Sequence, residues 1–315
     1  MDVLSDVIAA MRTGRPHSSR TVRFAPWGLR FPPGKAAGFH VVLQGTAWLL
    51  PPRENPGGGP AAALPPPPVR LCPGDVVLLT HGTAYGLADH PDSPLTDAVP
   101  LPDGSWPTPP DRGPVGAEET LLLCGAYQLS RTRPHPLLAE LPPYVHIPAR
   151  VGAHPRLRAA VELLGAELAE PLPGSDAIVP ALLDTLLLSL LRTWWLTERA
   201  DRSTGWSAAL ADPAVAAALR ALHGDPTHPW TVGELGALGG LSRAAFARRF
   251  TTLVGRPPLA YLTWWRMATA GRLLRAGGLP LRSVAERTGY ASEFAFAKAF
   301  KREYGVAPGR YRAAA

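Results

Sequence analysis

Thr231-Val-Gly-Glu-Leu-Gly-Ala-Leu-Gly-Gly-Leu-Ser-Arg-Ala-Ala-Phe-Ala-Arg-Arg-Phe250 and Leu281-Arg-Ser-Val-Ala-Glu-Arg-Thr-Gly-Tyr-Ala-Ser-Glu-Phe-Ala-Phe-Ala-Lys-Ala-Phe300 are one helical device written twice. Each copy has a short amphipathic run, a glycine, and a second run opened by a serine, Ser242 or Ser292. That order predicts helix, glycine turn, helix in both copies. A glycine follows a very small residue at the fourth position, Gly236 then Gly240 and Ala285 then Gly289. This suits two helices crossing closely at a turn whose backbone takes positive φ. Phe246 with Phe250, and Phe296 with Phe300, stand at i and i+4, so each pair is predicted to lie on one buried stripe. The outer faces are basic: Arg243, Arg248 and Arg249 in the first copy, Lys298, Lys301 and Arg302 in the second.

Ser242 and Ser292 are good N-caps, and a helix that starts at a phosphate offers it free backbone N–H groups. The two serines are 50 residues apart. Between them Pro257 to Arg275 carries proline at a plausible first turn and apolar residues at helical spacing, Leu262, Trp265, Met267 and Leu273. A helix of roughly 18 residues there would be about 27 Å long. Such a connector suits two recognition helices set about one DNA turn, roughly 34 Å, apart. Trp264 and Trp265 are assigned to its packing.

These residues resemble the AraC/XylS family of bacterial transcription regulators over about 100 residues, from Trp206 to the end. The closing Phe300-Lys-Arg-Glu-Tyr-Gly-Val-Ala-Pro-Gly-Arg-Tyr-Arg312 is a signature-like ending of that family. The resemblance implies that the second, third, sixth and seventh residues of each recognition helix face the major groove. Here these are Arg243, Ala244, Ala247 and Arg248, then Glu293, Phe294, Ala297 and Lys298. Arginine or lysine at such a place pairs with guanine O6/N7, and Ala or Phe touches a thymine methyl. Arg249, Lys301 and Arg302 are expected to hold phosphates, which gives affinity without sequence information.

Charge agrees with this placement. The formal net charge of the chain is +7, yet Trp206 to Ala315 holds 15 Lys and Arg against 6 Asp and Glu, and the remainder 17 against 19. Basicity thus belongs to the last third, as expected for a segment facing phosphates. The start, Met1-Asp-Val-Leu-Ser-Asp-Val-Ile-Ala-Ala-Met-Arg12, has two acids and no long apolar core, which excludes a secretory signal. Val3, Leu4, Val7, Ile8 and Met11 mark one face of a short helix instead. The apolar run from Ala177 to Leu196 is interrupted by Pro180, Asp184 and Arg192, which argues against a membrane span. Two cysteines give no disulfide framework and fit a reducing cytoplasm.

Strands are predicted at 39–50, 76–80, 120–129 and 144–148, which are rich in Val, Leu and aromatic residues. The Pro- and Gly-rich stretches 51–68 and 91–119 are read as loops. Met1 to Pro148 resembles the cupin-type sensor half of one AraC-family branch. The match is carried by Asp2 to Val7, Ala25-Pro-Trp-Gly-Leu-Arg30, Gly38-Phe-His-Val-Val-Leu-Gln-Gly45, Pro73-Gly-Asp75 and Leu122-Leu-Cys-Gly125. From Pro155 to Arg199 the pattern is helical. Leu157, Val161, Leu164 and Leu168 form one stripe, and Leu183, Leu186, Leu187, Leu190, Leu191, Trp194 and Trp195 a wider one. In related regulators this helical pair mediates dimer contact. The expected organisation is therefore α+β: a cupin-like β-barrel with flanking helices at 1–150, a helical dimerisation segment at 151–200, a linker at 201–207, and an all-α reader of two helix-turn-helix units joined by a long helix at 208–315.

Three chemistries are weighed for the barrel. Metal-dependent cupins need several His and a carboxylate, but His40 is one imidazole where metal-binding members have a His-x-His pair, and Tyr85 stands where sensor relatives often have histidine. No cofactor or metal is expected, and a cupin enzyme with an appended helical domain is the competing class. A thiol switch would use Cys72 or Cys124, although the partner cysteine of oxidant-responsive relatives falls near Thr21, where this chain has none. A small-molecule effector would meet Trp27, His40, Trp48, His81 and Tyr85, among aromatic residues such as Phe39. The function expected is that of a cytoplasmic, homodimeric, sequence-specific regulator of promoter DNA whose barrel senses an effector, with RNA polymerase as a partner if it activates.

Overall fold

The computed structural model describes residues 2–14, 16–34, 36–51, 66–99, 113–129, 135–198 and 205–313. Its elements in order are α1 (Val3–Met11), β1 (His17–Phe24), β2 (Gly28–Phe31), β3 (Ala36–Gln44), β4 (Ala47–Leu50), β5 (Val69–Leu71), β6 (Val76–Leu79), β7 (Tyr85–Ala88), β8 (Thr96–Asp97), β9 (Glu119–Gln128), α2 (Pro136–Ala139) and β10 (Tyr144–Ile147). The helical remainder is α3 (Pro155–Ala169), α4 (Ser175–Glu198), α5 (Trp206–Ala211), α6 (Pro213–Gly224), α7 (Val232–Ala237), α8 (Arg243–Val254), α9 (Pro258–Ala276), α10 (Leu281–Arg287), α11 (Glu293–Tyr304) and α12 (Pro308–Ala313). The mixed α+β architecture expected from sequence is present, with sheets in the first half and helix-turn-helix pairs in the second.

Two five-stranded sheets, ordered β1-β9-β3-β6-β10 and β5-β4-β7-β2-β8, build the barrel. Pairing is antiparallel except between β2 and β8. Val42, Val77, Leu79 and Leu122 from one sheet meet Leu49, Leu71 and Leu87 from the other in one buried core. The Pro73-Gly74-Asp75 turn feeds β6 as predicted: the Asp75 carboxylate accepts from the backbone N–H of Cys72 (3.0 Å) and Ala149 (2.7 Å) and lies 3.1 Å from His146 Nε2. The predicted strand 39–50 is two strands, broken at Gly45, where φ is +74°. Strands β1, β2, β5, β7 and β8 were not predicted. Of the two expected loops, 52–65 and 100–112 lie outside the described residues.

In α4 the wide apolar stripe is covered within the chain: Leu183, Leu186, Leu187, Leu190 and Leu191 are all buried. Tyr127 donates to the Leu183 carbonyl at 2.8 Å, tying that helix to β9. By length and composition Ser175–Thr197 is apolar enough to cross a membrane, but those leucines already pack inside the protein.

The chain forms two compact units that do not follow its linear order: 14–128 with 141–196, and 1–13 with 129–140 and 197–315. The first is the barrel with α3 and α4. The second joins the C-terminal helices to α1, which packs against α9 and α6. The apolar face of α1 is buried as predicted, against helices far along the chain. Of the expected linker at 201–207, residues 201–204 lie outside the described residues, and α5 already begins at Trp206. At the centre of this unit the Tyr261 hydroxyl sits between His223 Nε2 (2.7 Å) and His135 Nε2 (3.1 Å), and His223 stacks on Trp265 at 3.8 Å.

Candidate nucleic-acid interface and barrel cavity

Both helix-turn-helix copies form. In the first, Thr231 and Glu234 make a reciprocal capping box that starts α7. In the second, α10 starts behind Pro280. Each turn passes through a glycine with positive φ, +67° at Gly240 and +77° at Gly289, which a Cβ would resist. Ser242 and Ser292 are the N-caps of α8 and α11 and accept from the backbone N–H of Ala245 (3.4 Å) and Ala295 (3.2 Å). Phe246, Phe250, Phe296 and Phe300 are all fully buried, so the opposite face of each recognition helix is held outward. Connecting them, α9 is 19 residues long with proline in its first turn, and Trp264 and Trp265 are buried in its packing.

On the outward faces Ser242, Arg243, Ala244, Arg248, Ser292, Glu293, Phe294, Lys298, Lys301 and Arg302 are exposed, and Ala247 and Ala297 half-buried. Phe294 is 80% exposed, a large apolar side chain with no place in the core. The arginines are not equivalent. Arg249 pairs with the buried carboxylate of Asp212, the N-cap of α6. Burial alone would raise that carboxyl, but the backbone N–H groups of Val215 and Ala214 and the Arg249 guanidinium outweigh it and hold it below the usual carboxylate range. Arg302 lies 3.6 Å from Glu303. Arg266 donates to the carbonyls of Pro226 (2.6 Å) and His228 (3.0 Å), fixing the loop before α7.

The barrel encloses a cavity of about 500 Å³. Its lining follows the two-residue period of strands: Ser19, Thr21 and Arg23 on β1, Leu29 and Phe31 on β2, Gly38 and His40 on β3, Tyr85 and Leu87 on β7, and Leu122 and Cys124 on β9. Phe31 stacks on Tyr85 at 4.6 Å. His40 is buried between two partners, with Nδ1 3.0 Å from Cys124 Sγ and Nε2 2.7 Å from the Tyr85 hydroxyl. Both ring nitrogens are thereby occupied whichever one carries the proton. Burial lowers the His40 pKa to about 4 and pushes the Cys124 thiol up to about 12, so both are neutral near pH 7. Among the described residues no group of three or more His, Cys, Asp or Glu is placed to hold a metal ion.

Two family models match the chain, one described as Cupin over residues 2–195 and one as Helix-turn-helix domain over residues 236–314. The first spans more than half of the chain. Two relatives named putative AraC-like transcription regulators match nearly end to end. That from Streptomyces antibioticus is 33% identical over 99% of this chain and 98% of its own, and that from Streptomyces lividans 34% identical over the same shares. The chain belongs to the AraC family of transcription regulators. A further relative, the RCS-specific HTH-type transcriptional activator RclR of Escherichia coli, is 30% identical over 87% of this chain and 83% of its own.

Within this AraC-family regulator the expected effector residues divide. His40 and Tyr85 line the cavity; Trp27, Trp48 and His81 do not. Trp48 has the wrong strand parity, since its neighbours Ala47 and Leu49 are the buried ones. Trp27 belongs to the buried core between the sheets. His81 donates from Nε2 to the Leu141 carbonyl at 2.8 Å and serves the fold. Of the two thiols, Cys124 lines the cavity and Cys72 is exposed outside it. Sequence reasoning passed over Thr21, Arg23, Leu29 and Phe31. The alternation of Ser19, Thr21 and Arg23 was there to be found, but as a polar series that does not announce an inward strand face. In the AraC-family reader Arg249, for which a phosphate contact is expected, stays exposed on α8 while it pairs with Asp212.

Proposed function

We propose that this AraC-family regulator binds promoter DNA as a homodimer in the cytoplasm, that its barrel cavity takes a small-molecule effector, and that occupancy of the cavity biases how the two recognition helices meet the duplex. The observation that carries the reading is the pair of serine-capped helices whose phenylalanine stripes are buried and whose outward faces present Arg243, Arg248, Lys298 and Lys301. Arg243, Arg248 and Lys298 are assigned to guanine edges, Ala244, Ala247, Phe294 and Ala297 to thymine methyls, and Ser242, Ser292, Lys301 and Arg302 to phosphates, with Glu293 facing the groove. The exposed Leu163 and Ile178 on α3 and α4 support self-association through that helical pair, and RNA polymerase is a partner if the output is activation.

Catalysis is not part of this reading, because His40 spends both nitrogens on Cys124 and Tyr85. The name of the E. coli relative attaches it to RCS, but an oxidant switch needs a reactive thiolate. Here burial keeps Cys124 protonated, and Cys72 lies outside the cavity. A non-covalent effector is the reading favoured. Selection of bound fragments from random duplexes by the purified full chain tests it: enrichment of a motif with two boxes about one turn apart is expected, and an unenriched pool would refute it.

A further inference from the structure

The barrel cavity holds one charge that the described residues leave unanswered. Arg23, on β1, lines the cavity, and its Nε is buried with no hydrogen-bond partner among the described residues. A guanidinium is charged at every relevant pH, and a buried donor left unpaired costs stability. The other polar groups of the lining do not compensate it. Asp97 is taken by Arg30 at 3.3 Å. Tyr85 and Cys124 are each held in their neutral form by burial, and they and His40 satisfy one another. Ser19, Thr21, Thr83 and Thr96 add uncharged hydroxyls, and Leu29, Leu122 and the stacked pair of Phe31 and Tyr85 supply an apolar wall.

From this geometry we infer that the ligand of the cavity is an apolar small molecule carrying one carboxylate, with the carboxylate on Arg23 and the apolar body along Phe31, Tyr85, Leu29 and Leu122. The inference rests on the sensor reading of the barrel and adds the chemical class. A carboxylate matches the planar guanidinium fork and accepts two parallel N–H bonds from it. A cavity of about 500 Å³ accepts a body the size of a phenylalkyl chain.

Calorimetry on the full chain with a matched pair of probes, 4-phenylbutyrate and 4-phenylbutan-1-ol, tests it against the Arg23→Gln and Arg23→Lys variants. The acid is expected to bind about tenfold or more tighter than the alcohol. Arg23→Gln is expected to erase that difference while leaving alcohol binding in place, and Arg23→Lys to keep part of it. Melting curves establish that each variant is folded, and Arg23→Lys supplies the comparison if Arg23→Gln is not. Equal binding of acid and alcohol to the native chain would overturn the carboxylate assignment and leave the sensor reading standing. Binding of neither probe would overturn both.

Discussion

Arg248 and Arg249 are neighbours on α8 with different commitments, and substituting each separates recognition from folding. Arg248 is exposed on the groove-facing side, so Arg248→Ala is expected to weaken the selected site by about 1–3 kcal/mol and relax preference at one base position. Quantitative binding to the site and its point variants measures this; equal loss on random DNA would contradict the assignment. Arg249→Ala instead strips the buried Asp212 of its cation, and is expected to cost about 1–3 kcal/mol of stability in denaturant unfolding with little change in the salt dependence of DNA binding. Nothing in the local sequence announced this, because Asp212 stands 37 residues earlier. Reactivity of the thiols is equally specific: a thiol reagent is expected to label Cys72 first and Cys124, half-buried on the cavity wall with its thiol held protonated, much more slowly. Equal labelling rates would contradict the protonated Cys124 thiol.

Among the elements, the two turns have the same backbone but different surroundings. A Cβ at Gly240 would meet nothing within 4 Å, whereas at Gly289 it would lie 2.9 Å from the Pro226 carbonyl oxygen. Gly240→Ala is therefore expected to cost about 1–2 kcal/mol, the strain of positive φ alone, and Gly289→Ala clearly more, measured by denaturant unfolding of the full chain. Equal losses would mean that the second turn yields around the added carbon. These turns, the serine caps and the phenylalanine stripes were legible because each is fixed by residues a few positions apart. The strands were less so. Strand β1 turns Ser19, Thr21 and Arg23 into the cavity, inverting the usual apolar-inward signal, so no strand is predicted there. For α1 the periodicity identified the buried face correctly, but periodicity does not name the neighbour, and α6 and α9 are the helices packed against it.

For the molecule as a whole, burial sets the response to acid. His40, His135 and His223 are all held below the ordinary histidine pKa, burial being the leading cause in each. Each takes up protons in the unfolded chain at a higher pH than in the folded one, so between about pH 6.5 and pH 4 unfolding binds protons. Stability is then expected to fall as pH drops through that window, and His40→Gln to flatten the part contributed by the barrel, read from melting temperatures at stepped pH. Equal slopes for the native chain and the variant would contradict the neutral His40.

The reader is one device in which α9, 19 residues and so about 28 Å long, fixes the distance between two recognition helices. The direct test is the affinity of the full chain for its selected site after five base pairs, half a turn, are inserted between the two boxes. One box then faces away, and affinity is expected to fall to the level of random DNA. An unchanged affinity would contradict a rigid pair of readers on one face of the duplex.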